Sequence, residues 1–320
     1  MPSIADYILE ENATAGMILD PFMEDHPEIN SPNLTVITND DIDFVVGTRV
    51  GRDSTTPYIE RGGYSAYRTV SFGSNEWRVA PLELRAMTPW SGHRSATVQA
   101  MHEREFDAVV EDGMQSICKD FYTGGAAAAT VGAGNVNAKA PDGLEAILAL
   151  QENPITVDAG ATGSGDTYRA YAIRWNLRNG LNWGFPVGDE GFQVARNVWK
   201  DNLSDGTGTT CGYLSYLLGQ HCLVPADMYC VGCVQNIDST HVLTDALLNT
   251  LFRKAPTGRA FNAVLIHRDC PSTLRVLQYG LTADETGAMP EWMRQLGVSA
   301  QGDVFQAAFT RNMPTDFPVV

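Results

Sequence analysis

Residue types capable of chemistry gather in a few places along this 320-residue sequence. His267-Arg268-Asp269-Cys270 brings an imidazole, a carboxyl and a thiol together at what reads as a strand-to-helix junction. A Cys/His nucleophile pair needs the two side chains in hydrogen-bond reach and a third group to orient the base. Chain order shows no such triad, and Asp269 reads more economically as a helix N-cap and Cys270 as a small apolar filler. Cys230-Val-Gly-Cys233 is a single C-x-x-C, with Cys211, His221, Cys222 and His241 as irregularly spaced companions. A zinc site ordinarily shows a second clustered pair at set spacing, and residues three apart on a strand point to opposite faces. Gly160-Ala-Thr-Gly-Ser-Gly-Asp-Thr167 has the spacing of a phosphate-binding loop, but Asp166 stands where a lysine is required, and a strand rather than a helix follows. His93 and His102 flank and enter a long helical pattern, and no G-x-S-x-G, H-E-x-x-H or paired-glycine dinucleotide motif occurs. The expectation is no catalytic, cofactor-binding or metal-binding site, with an enzyme site near His267–Cys270 or the glycine loop kept as an alternative.

The elements around these residues form a mixed α+β pattern without βαβ regularity or internal repeat. Residues 1–35 read as an extended arm, because Pro2, Pro21, Pro27 and Pro32 interrupt any helix. Residues 35–50 and 58–84 are rich in Val, Ile, Thr, Tyr and Phe around the polar tip Gly51–Pro57, a long hairpin. Over 95–123, Val98, Met101, Phe106, Val109, Val110, Met114, Ile117, Cys118 and Phe121 recur at helical spacing, with Gly124-Gly125 as the stop. Such a helix is about 43 Å long, a spine rather than one member of a bundle. Further helices are expected at 141–150, 244–255, 271–279 and 290–296, and strands at 168–177, 211–218, 228–234, 261–267 and 304–309.

Charge is unevenly distributed. Lys and Arg number 22 against 38 Asp and Glu, a net charge of −16 that disfavours general nucleic-acid binding. Residues 1–48 hold ten acids and no Lys or Arg, whereas residues 49–94 hold seven Arg against four acids. Only four of the basic residues are Lys, and Arg suits planar pairing at protein interfaces. Solvated faces would produce the same skew. No apolar stretch approaches 18 residues, the first residues lack a signal-peptide pattern, and the six Cys suit buried thiols in a reducing cytoplasm.

An acidic arm, a basic hairpin, one very long helix and an α+β part ending in a short strand together resemble the tailed-phage major capsid protein fold, which encapsulin shells share. The resemblance is to the podophage-type branch. It is carried by Glu76-Trp-Arg-Val79, Pro141-Asp-Gly-Leu144, Tyr168-Arg-Ala-Tyr-Ala-Ile-Arg-Trp175, Cys230–Asp238 running into Leu243–Leu248, and Met313-Pro-Thr-Asp316. It implies an N-terminal arm (1–35), an extended E-loop hairpin with flanking strands (36–85), a peripheral domain with the spine helix (86–150), an axial domain (151–295) and a return to the peripheral domain (296–320). It implies a structural protein of a virion, assembled in the host cytoplasm as hexamers and pentamers around double-stranded DNA, with no membrane. Arg49, Arg52, Arg61 and Arg68 of the hairpin are then expected to contact acids such as Asp20, Glu24, Asp25 and Glu28 on neighbouring copies. The first 118 residues contain no Lys, so the lysine cross-link of some family members is not expected. A separate scaffold protein, a portal and a decoration protein are the implied partners. An encapsulin-like compartment is the alternative within the fold.

Overall fold

The computed structural model describes residues 27–28, 36–39, 43–49, 72–78, 80–89, 96–163, 167–186, 193–204, 209–256, 260–274 and 307–319. Its longest helix, the spine α1 (Ala96–Thr123), has 28 residues. It forms as its spacing predicts: His102, Phe106, Met114, Ile117, Cys118, Phe121 and Tyr122 make one buried stripe. Met101 is the exception to the expected face, being 63% exposed, and His102 takes the inward place beside it. His102 lies one turn before the buried Phe106 and so continues its row, and Met101 falls outside it. Gly113 sits on the buried side where a Cβ would come within 2.4 Å of the Leu84 methyls, so glycine lets the strand below approach closely.

The spine lies against a sheet of long strands. Its central member is β9 (Thr209–Pro225), 17 residues. Along one side runs β4 (Ala80–Pro89), antiparallel from Ala80↔His221 to Pro89↔Gly212. Pro81 and Pro89 are tolerated because β4 is an edge strand, where no neighbour needs their missing N–H. The other side of β9 is shared between β8 (Gln193–Ser204) and β7 (Leu181–Pro186). β1 (Val36–Asn39) joins β7 in parallel. β8 is polar and bulged between Ala195 and Val198 and again between Lys200 and Leu203, both of which blunt an exposed edge.

β2 (Asp43–Arg49) and β3 (Phe72–Arg78) form an antiparallel ribbon from Asp43↔Arg78 to Arg49↔Phe72. The expected hairpin therefore holds for these residues, while its tip lies outside the described ones. Its flanks differ. The 35–50 run divides, with β1 joining β7, and in the 58–84 run the ribbon ends at Arg78 while β4, from Ala80, pairs with β9.

A second five-stranded sheet has the order β12-β11-β6-β10-β5. Its strands are β5 (Thr156–Asp158), β6 (Tyr168–Ile173), β10 (Val231–Ile237), β11 (Ala263–His267) and β12 (Ala307–Thr310). Alternation sorts its side chains into two cores. Tyr171, Ile173, Val231, Cys233, Ala263 and Leu265 face the end of α1 and a short helix, α3 (Leu144–Ala149). Ala170, Ala172, Val234, Val264 and Ile266 face helix α4 (Asp245–Lys254). Between α1 and α3 comes the one-turn helix α2 (Ala128–Val131). With both faces covered, β11 is buried at every position, which is why it reads as an unbroken apolar run. Thr244 caps α4 by accepting from the Leu247 N–H at 3.3 Å.

β5, β7 and β8 have no counterpart among the expected strands, and β9 extends past its expected limits at both ends. The helix expected from Pro271 does not begin there: residues 271–274 are non-helical and Ser272 bridges Leu243. Asp269 is thus no N-cap. The helix expected at 290–296 lies outside the described residues. Residues 193–204 and 209–225, placed by sequence in the axial part, form β8 and β9; β9 pairs with β4 and β8 pairs with β9, so the spine's sheet draws on both sides of residue 150. No helix among the described residues is long and apolar enough to cross a membrane.

Candidate functional site

Three buried polar constellations tie the spine and its surroundings together. The first holds the arm. Glu28 is 0% exposed, and its Oε1 accepts from Tyr122 Oη at 2.7 Å and from the Thr310 hydroxyl. Asn312 Nδ2 donates to Oε2 at 3.3 Å. Burial pushes the Glu28 carboxyl upward against the downward pull of these hydrogen bonds, and it pushes the neighbouring Cys118 and Tyr122 well upward. One carboxylate thereby joins the arm, the end of α1 and the C-terminal strand β12. Glu28→Ala leaves two buried hydroxyls without their acceptor. It should cost about 1–3 kcal/mol, read as a lower urea midpoint with unchanged m-value.

The second constellation centres on Arg169 of β6, which pairs with Glu145 of α3; both side chains are buried. Tyr171 Oη donates to Glu145 Oε1 at 2.6 Å, and Arg169 Nη2 donates to the Thr130 carbonyl at 3.0 Å. The Arg169 guanidinium also lies 4.5 Å from the Phe317 ring centroid. The third runs from Asn197 through Ser215, His102 and Thr88 to Glu105, between α1 and its sheet. Sequence reasoning missed all three. The available signal was a polar residue inside an apolar stripe, as with His102 and Tyr122.

The expected contact residues fare differently. Arg49 closes β2 opposite Phe72. Arg52, Arg61, Arg68, Asp20, Glu24 and Asp25 lie outside the described residues. Glu28 is buried on Tyr122, Thr310 and Asn312 of its own chain.

The motifs considered for catalysis or metal binding are occupied structurally. Cys270 is buried, and burial pushes its thiol up to about 12. His267 Nδ1 accepts from the Asp269 N–H at 3.0 Å rather than meeting that thiol. A thiol held that high supplies little nucleophilic thiolate near neutral pH. Cys230 and Cys233 share one core layer instead of opposite faces, because Cys230 ends a 3₁₀ turn before β10 begins. Burial pushes Cys230 up to about 12 and Cys233 well upward, against the deprotonation that metal ligation needs. Among the described residues no three His, Cys, Asp or Glu are grouped to hold a metal. In the glycine loop, Gly160 has φ +102 and lies against the His241 ring, while Thr167 bridges Phe317; Asp166 lies outside the described residues.

No protein-family model and no curated relative matches the chain. Among solved structures it is similar to a chain of the near-atomic structure of bacteriophage Epsilon15, at 9% identity and a TM-score of 0.45, covering 90% of this chain and 88% of that one. It is similar to the bacteriophage JBD30 capsid, at 11% identity and a TM-score of 0.44, covering 87% and 88%. It is also similar to the capsid of a native GTA particle, at 9% identity and a TM-score of 0.42, covering 67% and 90%. The chain is an α+β protein, and the solved structures to which it is similar include the capsids of bacteriophage JBD30 and of a GTA particle.

Proposed function

We propose that this chain is the structural subunit of an icosahedral phage head, assembling with itself into hexamers and pentamers around double-stranded DNA. The observation that carries the reading is the spine: a 28-residue helix laid along long antiparallel strands, entered from a ribbon, beside a second sheet with a core on each face. Such an elongated frame offers surface to neighbours. Away from the sheet α1 exposes Glu111 and Asp112, a negative stretch that the Arg-bearing hairpin of another copy complements. A net charge of −16 suits a wall that surrounds DNA without gripping it. A scaffold, a portal and a decoration protein are the partners of this reading, and the virion is its location.

Electron microscopy of the purified chain, alone and with its scaffold, tests it. Closed shells are expected, and heads from infected cells should hold nuclease-protected DNA and a single portal vertex. Raising salt, or replacing Arg49, Arg52 and Arg61 with Ala, should reduce assembly yield. Shells without DNA or a portal would indicate a compartment of the encapsulin kind. A small soluble oligomer under every assembly condition overturns the proposal.

A further inference from the structure

A directed chain of hydrogen bonds fastens the spine helix to its sheet. The Asn197 N–H donates to Ser215 Oγ at 2.9 Å, Ser215 Oγ lies 2.8 Å from His102 Nε2, and His102 Nδ1 lies 2.8 Å from Thr88 Oγ1. The single proton of the Thr88 hydroxyl goes to Glu105. Thr88 Oγ1 can therefore only accept from the ring, which places the imidazole proton on Nδ1. Nε2 is then an acceptor, takes the Ser215 proton, and leaves Ser215 Oγ free to accept from Asn197. Every group is matched and all donate in one direction. Asn197 reaches this place because it stands at φ 53 within the bulge between Ala195 and Val198, and its Nδ2 also donates to Glu103 Oε1 at 2.7 Å. His102 and Ser215 are both buried, so no substrate can approach this serine and histidine as a nucleophilic pair.

We propose that His102 is a pH-sensitive clasp that holds the spine helix on β4, β8 and β9 while its ring is neutral and releases it when the ring gains a proton. A proton on Nε2 turns an acceptor into a donor. The Ser215 hydroxyl must rotate away, and its own proton loses its acceptor in a site without water contact. The charged and titratable groups around the ring are few. The helix carries Glu103, Glu105 and Asp107; β8 carries Arg196, 3.6 Å from Asp107; β9 brings the Tyr213 ring, stacked at 5.9 Å; and β4 has Glu83 and Arg85 farther along. Burial lowers the pKa of His102, and the opposing pull of Glu105 and Glu103 does not cancel it. The released ring takes its proton near the ordinary value of 6.5, the clasped ring only at lower pH, so acid favours release.

Hydrogen exchange followed by mass spectrometry on the full-length subunit between pH 7.5 and 5 tests this, after correction for intrinsic exchange rates. Protection of segments 84–89, 96–110 and 211–217 should fall by about tenfold per pH unit below pH 6.5, the limit for release coupled to one proton. Segments 168–173 and 231–237 should fall less, by only what the global loss of stability in acid gives. His102→Gln should remove the excess pH dependence of the first group over the second. Equal loss in His102→Gln, or uniform loss in all segments, overturns the clasp. If that variant does not fold, imidazole proton NMR of the unaltered subunit decides: a His102 midpoint at or above 6.5 overturns it, and one clearly below supports it.

Discussion

Glu145→Gln should destabilise the subunit by about 3–5 kcal/mol, because it leaves the Arg169 guanidinium charged and buried without its counter-ion. The amide keeps an acceptor for the Tyr171 hydroxyl, which now donates to Glu145 Oε1 at 2.6 Å. Its other end becomes an NH₂ facing an Arg that has only donors to offer. The remaining partners are the Thr130 carbonyl at 3.0 Å and the Phe317 ring at 4.5 Å, neither of which carries a negative charge. The penalty reaches beyond one pair, since Phe317 is bridged to Thr167 and the network joins α2, α3, β6 and the C-terminal segment. The pair's own net worth is a different quantity. Taking both ions out of water consumes most of their mutual attraction, so Glu145→Met with Arg169→Leu should recover much of what the single change loses. Urea denaturation of the unassembled subunit measures both variants. A single change within about 1 kcal/mol of the unaltered protein, or a double change costing more than the two singles together, would contradict this account.

The spine was legible because its apolar positions repeat at three and four residues over eight turns, a signal that tertiary context reinforces rather than opposes. What periodicity cannot decide is which of two adjacent residues turns inward when one is polar, and Met101 and His102 exchange places for that reason. β8 was invisible because an edge strand protected by bulges and by Arg196, Lys200 and Asp201 resembles a loop in composition. β9 was cut short at Leu218 because Gly219-Gln220 interrupts its apolar run; pairing with β4 on one side and with β8 and then β7 on the other carries the strand through. The ribbon ends at Arg78 and β4 begins at Ala80, so the change of partner from β2 to β9 falls within what reads as one run. Cys230 and Cys233 defeated a sound rule about strand faces because a single 3₁₀ turn shifts the register. Glu28 shows the limit of reading charge from composition: one acid among seven on the arm is a buried anchor, and two of its partners, Tyr122 and Thr310, lie 94 and 282 residues away.

Acid should weaken the subunit chiefly through His221. Its side chain is 4% exposed on β9, opposite Ala80, with its ring centroid 5.5 Å from that of Trp183. Nδ1 has no hydrogen-bond partner among the described residues. A charged imidazole there would lose its water without gaining a counter-ion, and burial lowers the pKa from 6.5 to about 4. The unfolded chain takes up this proton below about pH 6.5, and the folded chain does so only near pH 4. Between those values the unfolded state binds more protons, so stability rises with pH and falls on acidification, by about 3 kcal/mol in all. Glu28 works the other way: its raised carboxyl favours the folded state in acid and loses that contribution as pH rises. The titration of the whole protein therefore mixes opposing slopes, and His102 and His267 add terms of the same sign as His221. Subtraction isolates the residue. His221→Phe keeps an aromatic ring against Trp183 and cannot titrate. The stability difference between this variant and the unaltered protein should be flat above pH 6.5 and change by about 1.4 kcal/mol per pH unit below it, levelling near pH 4. A difference that stays constant from pH 7 to 4 would show that His221 is protonated equally in both states, and the acid sensitivity would then have to come from another group.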